Sequence, residues 1–114
     1  MKVLGLFNNA QSVLSVPAGG VVFSEGDTGK EMYGIVEGAI ELRSGDRVLR
    51  TLEVDDVFGE MAIIDRSPRS ATAIAAVDTQ LAVIDEHRFL FLVQETPMFA
   101  LSVMSTMAER FRDR

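Results

Sequence analysis

The sequence predicts a mainly β fold, an antiparallel jelly-roll (double-stranded β-helix) barrel followed by two C-terminal α-helices. Short runs rich in Val, Ile and Leu, separated by Gly, Asp and Ser, fill the first two-thirds of the chain. Many short strands at regular spacing are typical of sandwiches and closed barrels. The last quarter instead repeats its apolar residues at helical spacing. With 114 residues, the chain has the length of one compact domain, and we expect residues 1–114 to form a single unit.

Seven strands are predicted for the barrel, which spans about residues 13–85. The run 40–43 alternates apolar and polar residues, as a half-buried strand does. Sequences suited to tight turns, such as Pro17-Ala18-Gly19-Gly20 and Ser44-Gly45-Asp46, fall between the runs. The predicted strands are 13–16, 21–23, 32–36, 40–43, 48–52, 70–76 and 81–85.

Two helices are predicted after the barrel, over about residues 86–95 and 97–114. Asp85 is a suitable N-cap for the first, and Thr96 followed by Pro97 is typical of the start of the second. The second helix carries two apolar stripes, one of Leu101, Met104, Ala108 and Phe111 and one of Phe99, Val103 and Met107. We expect one stripe to pack on the barrel and the other to face a ligand or a second chain.

Composition argues against several classes of function. Eleven basic against seventeen acidic residues give a net charge of −6, which argues against nucleic acid as a partner, because such binding depends on cationic surface. The chain has no cysteine and one histidine, His87, too few ligands for a zinc site or a cupin-like metal centre. No serine has a partner at the spacing of a catalytic triad. We therefore expect no metal, no cofactor and no catalytic residue.

The chain also lacks the signals of a membrane protein. No apolar run approaches the roughly 18 residues that a membrane-spanning helix needs, and the N-terminal apolar run is too short for a signal peptide. We expect no membrane span and a cytoplasmic location. Basic residues cluster only at Arg110, Arg112 and Arg114, where they interact favourably with the C-terminal end of a helix.

Residues 58–72, Phe-Gly-Glu-Met-Ala-Ile-Ile-Asp-Arg-Ser-Pro-Arg-Ser-Ala-Thr, carry the candidate chemistry. Gly59 permits close backbone approach, and residues 60–64 predict a short helical turn whose first N–H groups suit an anion. After Pro68, we expect Arg69 to open a strand whose small neighbours leave space inside the barrel. A guanidinium in that space needs an anionic partner, and its planar fork can hold two phosphate oxygens at once.

This segment closely resembles the phosphate-binding cassette of the cyclic-nucleotide-binding family. That family includes the regulatory subunits of cyclic-AMP-dependent protein kinase, cyclic-nucleotide-gated channels and bacterial catabolite activator proteins. Its pattern is Phe-Gly-Glu, an apolar residue, Ala, a loop, Pro-Arg, a small residue, Ala, and Thr or Ser, and every element is present. Residues 16–27 and 33–38 resemble two further motifs of the family. Val54-Asp55-Asp56 stands where the family often has Pro-Gly-Asp, and Asp tolerates the left-handed backbone that such a turn needs.

The resemblance implies a role for each residue of the cassette. Arg69 would hold the exocyclic oxygens of a cyclic phosphate, and Glu60 would accept a hydrogen bond from the ribose 2′-hydroxyl. The C-terminal helix would be a lid over the base, through Met107, Arg110 or Phe111, and its motion would signal to an unidentified effector protein or domain. The implied ligand-binding residues are Gly59, Glu60, Met61, Ala62, Arg69, Ser70 and Ala71.

The identity of the nucleotide depends on one position in this resemblance. In the family, Thr after the arginine is associated with cyclic GMP and Ala with cyclic AMP, and Ser70 is intermediate between them. We expect cyclic AMP, the commoner ligand, with cyclic GMP as the alternative.

Three other interpretations of the same residues stay open. Glu60 and Arg69 could form a buried ion pair that only stabilises the fold. The chain could be a ligand-free scaffold, or a homodimer paired through the C-terminal helix along the Leu101, Met104, Ala108 and Phe111 stripe. A phosphodiesterase is the third alternative, but the sequence offers neither metal ligands nor a plausible general base for it, and we expect a binding module rather than an enzyme.

Overall fold

A computed structural model describes residues 2–112, so that Met1, Asp113 and Arg114 lie outside the described residues. Within this range the chain forms a mainly β structure that ends in two longer helices, as predicted. The strands are β1 (Val13–Val16), β2 (Val21–Phe23), β3 (Met32–Glu37), β4 (Ala39–Ser44), β5 (Arg47–Glu53), β6 (Val57–Phe58), β7 (Thr72–Ala75) and β8 (Thr79–Ile84), and the helices are α1 (Met61–Ile64), α2 (Glu86–Glu95) and α3 (Pro97–Arg112).

The strands form two four-stranded antiparallel sheets. One sheet has the order β1-β8-β3-β6 and the other the order β2-β7-β4-β5. The two longest pairings join β3 to β8, beginning with Met32 opposite Ile84, and β4 to β5, beginning with Ala39 opposite Glu53. Strands that are distant in sequence therefore pair within each sheet, as the jelly-roll prediction requires.

Two hydrophobic clusters lie on opposite faces of the first sheet. The first cluster fills the space between the sheets, where Ile35 and Leu81 of one sheet meet Ile40 of the other, all three fully buried. The second cluster lies on the outer face of the first sheet, where Phe99 and Val103 of α3 cover it. Because β3 and β8 are covered on both faces, their residues are apolar almost throughout.

The two longer helices begin and end as the sequence predicts, up to the last described residue of α3. Asp85 caps α2 by accepting a hydrogen bond from the Arg88 N–H at 2.8 Å. Of the two stripes on α3, the one with Phe99 and Val103 packs on the barrel, whereas Met104 of the other stripe is 59% exposed. The predicted extension of α3 to Arg114 lies outside the described residues.

The prediction that Arg69 opens a strand is wrong. Strand β7 begins at Thr72, because the backbone of Arg69 bonds instead to the loop 24–31. Its N–H donates to the Asp27 carbonyl and its carbonyl accepts from the Gly26 N–H, both at 2.8 Å. These two hydrogen bonds fix Arg69 against that loop before the strand starts.

The remaining differences are small. Strand β6 has only two residues, Val57 and Phe58, too few for an apolar pattern to predict, and β8 begins at Thr79 rather than at residue 81. The turn before β6 forms as predicted, since Asp55 has the left-handed φ of 72°. Within residues 2–112 no individual helix is long and apolar enough to cross a membrane, although α2 and α3, bent by 118°, pass that test as a pair on length and composition.

Candidate functional site

A cavity of about 360 Å³ lies between the second sheet, the segment 58–71 and the C-terminal end of α3. Its volume is at the lower end of the range of roughly 300–1,000 Å³ that small-molecule sites occupy. All seven residues that the sequence predicts as ligand-binding line it: Gly59, Glu60, Met61, Ala62, Arg69, Ser70 and Ala71.

Arg69 is a buried cation beside this cavity. The residue is only 7% exposed. The Nη1 group donates to the Gly59 carbonyl at 3.1 Å, and Nε is buried without a hydrogen-bond partner. Within the described residues no ion pair links Arg69 to Glu60, so the interpretation of these two residues as a structural ion pair is wrong. A desolvated guanidinium with an unused donor is what an anion-binding site requires before its ligand arrives.

Glu60 is the buried acidic residue of the site. It is 0% exposed and lies immediately before α1, where Gly59 has the left-handed φ of 78°. One carboxylate oxygen, Oε1, accepts from Arg110 Nη1 at 3.2 Å, whereas Oε2 is buried without a partner. Glu60 therefore retains an acceptor without a partner, and it lines the same cavity as Arg69.

The short helix α1 offers fewer free N–H groups than the sequence predicts. The Ala62 N–H donates to the Gly59 carbonyl at 3.3 Å, and the N–H groups of Ile63 and Ile64 both donate to the Glu60 carbonyl at 3.0 Å. The chain closes this turn on itself, because a four-residue helix can use the carbonyls immediately before it. Ala62 is thus already engaged, and a ligand would have to share its N–H group.

Ser70 and Ala71 lie at the mouth and in the wall of the cavity. Ala71 is 7% exposed, whereas Ser70 is exposed. The Ser70 Oγ accepts a hydrogen bond from Arg110 Nη2 at 3.2 Å. Arg110 therefore bridges Glu60 and Ser70, for which the family resemblance predicts contact with the ribose and a part in the choice of base.

A second ion pair fixes the end of α3 to the opposite wall of the cavity. Arg50 of β5 donates through Nη1 to Glu109 Oε2 at 2.5 Å. Glu109 and Arg110 are adjacent on α3, so that one contacts the sheet and the other contacts the segment 58–71. Together they hold the helix over the cavity.

The structure brings one of the three predicted lid residues to the cavity. Arg110 lines it, whereas Met107 packs against the second hydrophobic cluster and Phe111 is 75% exposed. The helix contributes Thr106 and Glu109 to the lining instead. Within α3 as described, the covering surface is therefore polar rather than aromatic.

The sequence did not predict that residues of β5 and β2 line the cavity. Val48 and Leu49 line the cavity although each is nearly half exposed, and Arg50 and Leu52 of the same strand line it too. The available signal was the adjacent apolar pair Val48 and Leu49 on a predicted strand, because successive residues of a strand point to opposite faces and both cannot face the same core. Phe23 of β2 also lines the cavity, with its ring 4.2 Å from Arg69 Cζ; it lies in the segment 16–27 that resembles a family motif, but that resemblance predicted no role for it in the site.

The aromatic floor behind Arg69 includes Tyr33. The Phe23, Tyr33 and Phe58 rings contact one another, with centroids 5.4 to 6.1 Å apart. Burial raises the pKa of the Tyr33 phenol; the carboxylate of Glu31 raises it further, and Arg69 opposes both. Tyr33 therefore stays neutral near neutral pH, and Arg69 remains the charged group of this floor.

Comparison with known proteins identifies the family that the sequence resembles. Residues 13–96 match the model of the cyclic nucleotide-binding domain. The chain is 31% identical over 102 residues to a cyclic AMP receptor protein of Thermus thermophilus, covering 85% of this chain and 47% of that protein. It is 37% identical over 95 residues to a cyclic nucleotide-gated potassium channel of Rhizobium etli, covering 83% of this chain and 26% of the channel. The chain thus spans about half or less of the length of these relatives.

Solved structures agree on the fold. The Thermus thermophilus catabolite activator protein superposes with a TM-score of 0.76 at 30% identity, covering 90% of this chain and 50% of that one. A protein of a cyclic-GMP-dependent signalling pathway in bacterial phytopathogenesis superposes with a TM-score of 0.79 at 26% identity, covering 97% and 93% of the two chains. The matched family segment contains the whole lining from Gly59 to Ala71, and the chain belongs to the family of cyclic nucleotide-binding regulatory domains.

Proposed function

We propose that residues 1–114 form one sensor domain that binds a cyclic purine nucleotide in the cavity beside Arg69 and reports its occupancy through α3. One observation carries the proposal: a buried cation, Arg69, and a buried carboxylate, Glu60, line the same cavity and do not pair with each other within the described residues. A cyclic nucleotide satisfies both, because its phosphodiester is an anion and its ribose 2′-hydroxyl is a hydrogen-bond donor. Binding, rather than turnover, is the role we assign.

Calorimetric titration of the protein with cyclic AMP and cyclic GMP tests this function. We expect saturable binding of cyclic AMP at one site per chain, and no linear monophosphate after prolonged incubation. No detectable heat with either nucleotide at millimolar concentration would exclude the proposal. Appearance of the linear monophosphate would favour the phosphodiesterase alternative instead.

Cyclic AMP is our proposed preferred ligand. The Ser70 hydroxyl, which the family resemblance places near the 2-amino group of a guanine, already accepts from Arg110. Adenine has no such amino group and makes no demand on that oxygen. Tighter binding of cyclic GMP than of cyclic AMP in the titration would contradict this preference.

We propose that the α3 output depends on competition for Glu60. Arg110 donates to Glu60 Oε1, and a ribose hydroxyl that donates to Oε2 would share the charge of the same carboxylate and weaken its bond to Arg110. A ligand that binds more tightly when Arg110 is displaced shifts the population of α3 positions in proportion to that difference in affinity. Displacement would also free the helix to bring Met107 or Phe111 to the base, which stays a prediction for the bound state.

Replacing Arg110 tests the competition directly. We expect Arg110→Gln to raise the affinity for cyclic AMP by about threefold, since a half-exposed ion pair contributes roughly 0.2–1 kcal/mol. Hydrogen exchange of residues 104–112 should also accelerate without ligand. The matched control is Glu109→Gln, which breaks the neighbouring pair with Arg50 but leaves Glu60 bound to Arg110. Weaker binding in Arg110→Gln would show that Arg110 contacts the ligand, and equal tightening in both variants would show that only helix release matters.

A dimer through α3 is the second candidate function, and an exposed apolar face favours it. Leu101, Met104 and Phe111 are 49%, 59% and 75% exposed on one side of the helix, an arrangement suited to pairing with a second copy. We expect sedimentation to show a dimer that Met104→Glu converts to a monomer. A protein that is monomeric at all tested concentrations, with and without nucleotide, would exclude it. A dimer that binds no nucleotide would favour the scaffold.

A further inference from the structure

The Arg69 guanidinium is held on two sides by residues outside the segment 58–72. One face lies over the Phe23 ring, with Cζ 4.2 Å from the centroid. The other side lies against the loop 24–31, where a Cβ added to Gly29 would be 2.3 Å from Nη2, 2.7 Å from Cζ and 2.8 Å from Nε. The Gly59 backbone closes the slot by accepting from Nη1. We call this arrangement, formed by Phe23, Gly29 and Gly59, the arginine slot.

Position 29 requires a glycine because a side chain there would contact the Arg69 guanidinium too closely, and not because the backbone has a positive φ. Gly26 and Gly59 have positive φ values of 89° and 78°, whereas Gly29 is not among the residues with positive φ. An alanine is therefore compatible with the backbone at 29, and the three atoms nearest to its Cβ all belong to the Arg69 guanidinium. Because those atoms end a flexible side chain, the fold can accept the alanine if Arg69 leaves its position.

The slot also accounts for how a charge is tolerated there before any anion binds. The negative face of an aromatic ring attracts a cation, and this attraction strengthens when water is excluded. The backbone hydrogen bonds between Arg69 and the residues 26 and 27 keep the loop and the arginine in register. The Phe23 ring and the Gly59 carbonyl consequently give the guanidinium a defined position.

We propose that Phe23 and Gly29 are positioning residues, which set the orientation of Arg69 before the ligand arrives and thereby determine the affinity for the cyclic phosphate. This inference rests on the proposed function. The Phe23 ring lies against one face of the guanidinium, and Gly29 leaves room for the guanidinium because glycine has no side chain. A preset donor loses no further conformational freedom on binding, so that more of its interaction energy appears as affinity.

The unliganded protein provides the first test, through the NMR signal of the Arg69 Nε–H group. A proton above a ring face is shifted upfield by the ring current, and a fixed guanidinium gives a single sharp signal. We expect this shift in the wild type and in Phe23→Tyr, and its loss in Phe23→Leu and in Gly29→Ala. A wild-type signal at the position of a free arginine would overturn the slot, whatever the protein binds.

Titration with cyclic AMP provides the second test. We expect Phe23→Leu to weaken binding about threefold to thirtyfold, the range of one cation–π contact, and Phe23→Tyr to restore it. Gly29→Ala should weaken binding by roughly tenfold or more, as for loss of one charge-assisted hydrogen bond. The matched control is Phe89→Leu, which removes a ring that packs edge-on against Phe99 in the second cluster, away from the cavity.

The outcomes separate the inference from the function on which it rests. If the wild type binds no nucleotide, the proposed function fails, and the NMR signal alone decides on the slot. If the wild type binds and Gly29→Ala and Phe23→Leu bind equally well, the inference fails and the function stands. Equal weakening in Phe89→Leu would show a general loss of stability instead of a change in Arg69, and would overturn the inference.

Discussion

Replacing Arg69 by Met is expected to abolish detectable cyclic nucleotide binding while leaving the unliganded protein folded and at least nearly as stable. Two charge-assisted hydrogen bonds to a phosphate contribute roughly 1.5–3 kcal/mol each, so that losing both lowers affinity by about 10² to 10⁴-fold. The stability should survive, because the native protein buries this cation with Nε unpaired and, within residues 2–112, without a salt bridge to a carboxylate. The relief of desolvation offsets the lost contacts of the guanidinium with the Phe23 ring and the Gly59 carbonyl.

Calorimetry and thermal unfolding on the same samples measure both halves of this prediction. Arg69→Lys retains the charge but not the planar fork, and it should fall between the wild type and Arg69→Met. The matched control is Arg88→Met, which removes an arginine that also lies over a ring, 4.7 Å from the Phe91 centroid, but far from the cavity. A large drop in unfolding temperature together with unchanged affinity would mean that Arg69 has a structural role only.

The fold was largely predictable because its signals are local. Strands β1 and β2 and helix α2 have the predicted bounds, since each is a run of apolar or helical period ended by a turn sequence or by a cap such as Asp85. The strand start after Arg69 was not predictable, because it depends on hydrogen bonds to a loop more than forty residues earlier, at Gly26 and Asp27. Short-range patterns carry no information about such a pairing.

The candidate site likewise has a part that the sequence predicted and a part that it did not. The seven cassette residues line one cavity because a continuous segment carries them, and a motif records a continuous segment well. Phe23 and Val48 reach the cavity, and Gly29 reaches the Arg69 guanidinium, from other elements, where each residue by itself looks like an ordinary strand or turn residue. The sequence also did not predict that Glu109 and Arg110 cover the cavity, because ion pairs between residues distant in the chain produce no characteristic spacing.

Replacing Glu60 by Ala is expected to remove the ability to distinguish ribose from deoxyribose. The wild type should bind cyclic AMP about tenfold to a hundredfold more tightly than its 2′-deoxy analogue, because the 2′-hydroxyl donates to a buried carboxylate. In Glu60→Ala that ratio should fall close to one. The ratio is the quantity to measure, since damage elsewhere in the cavity weakens both ligands alike and cancels.

Two features of the structure make this variant informative. Glu60 is fully buried, yet its partner Arg110 is 39% exposed and can turn to water when the carboxylate is lost, so the variant does not leave Arg110 as a buried unpaired cation. Glu60→Gln is the graded control, because its neutral oxygen still accepts a weaker hydrogen bond and should give an intermediate ratio. If Glu60→Ala keeps the wild-type ratio, the ribose hydroxyl is recognised by another group and Glu60 serves only to hold Arg110. The competition between ligand and helix would then have no shared acceptor, and α3 would have to sense the nucleotide through its base.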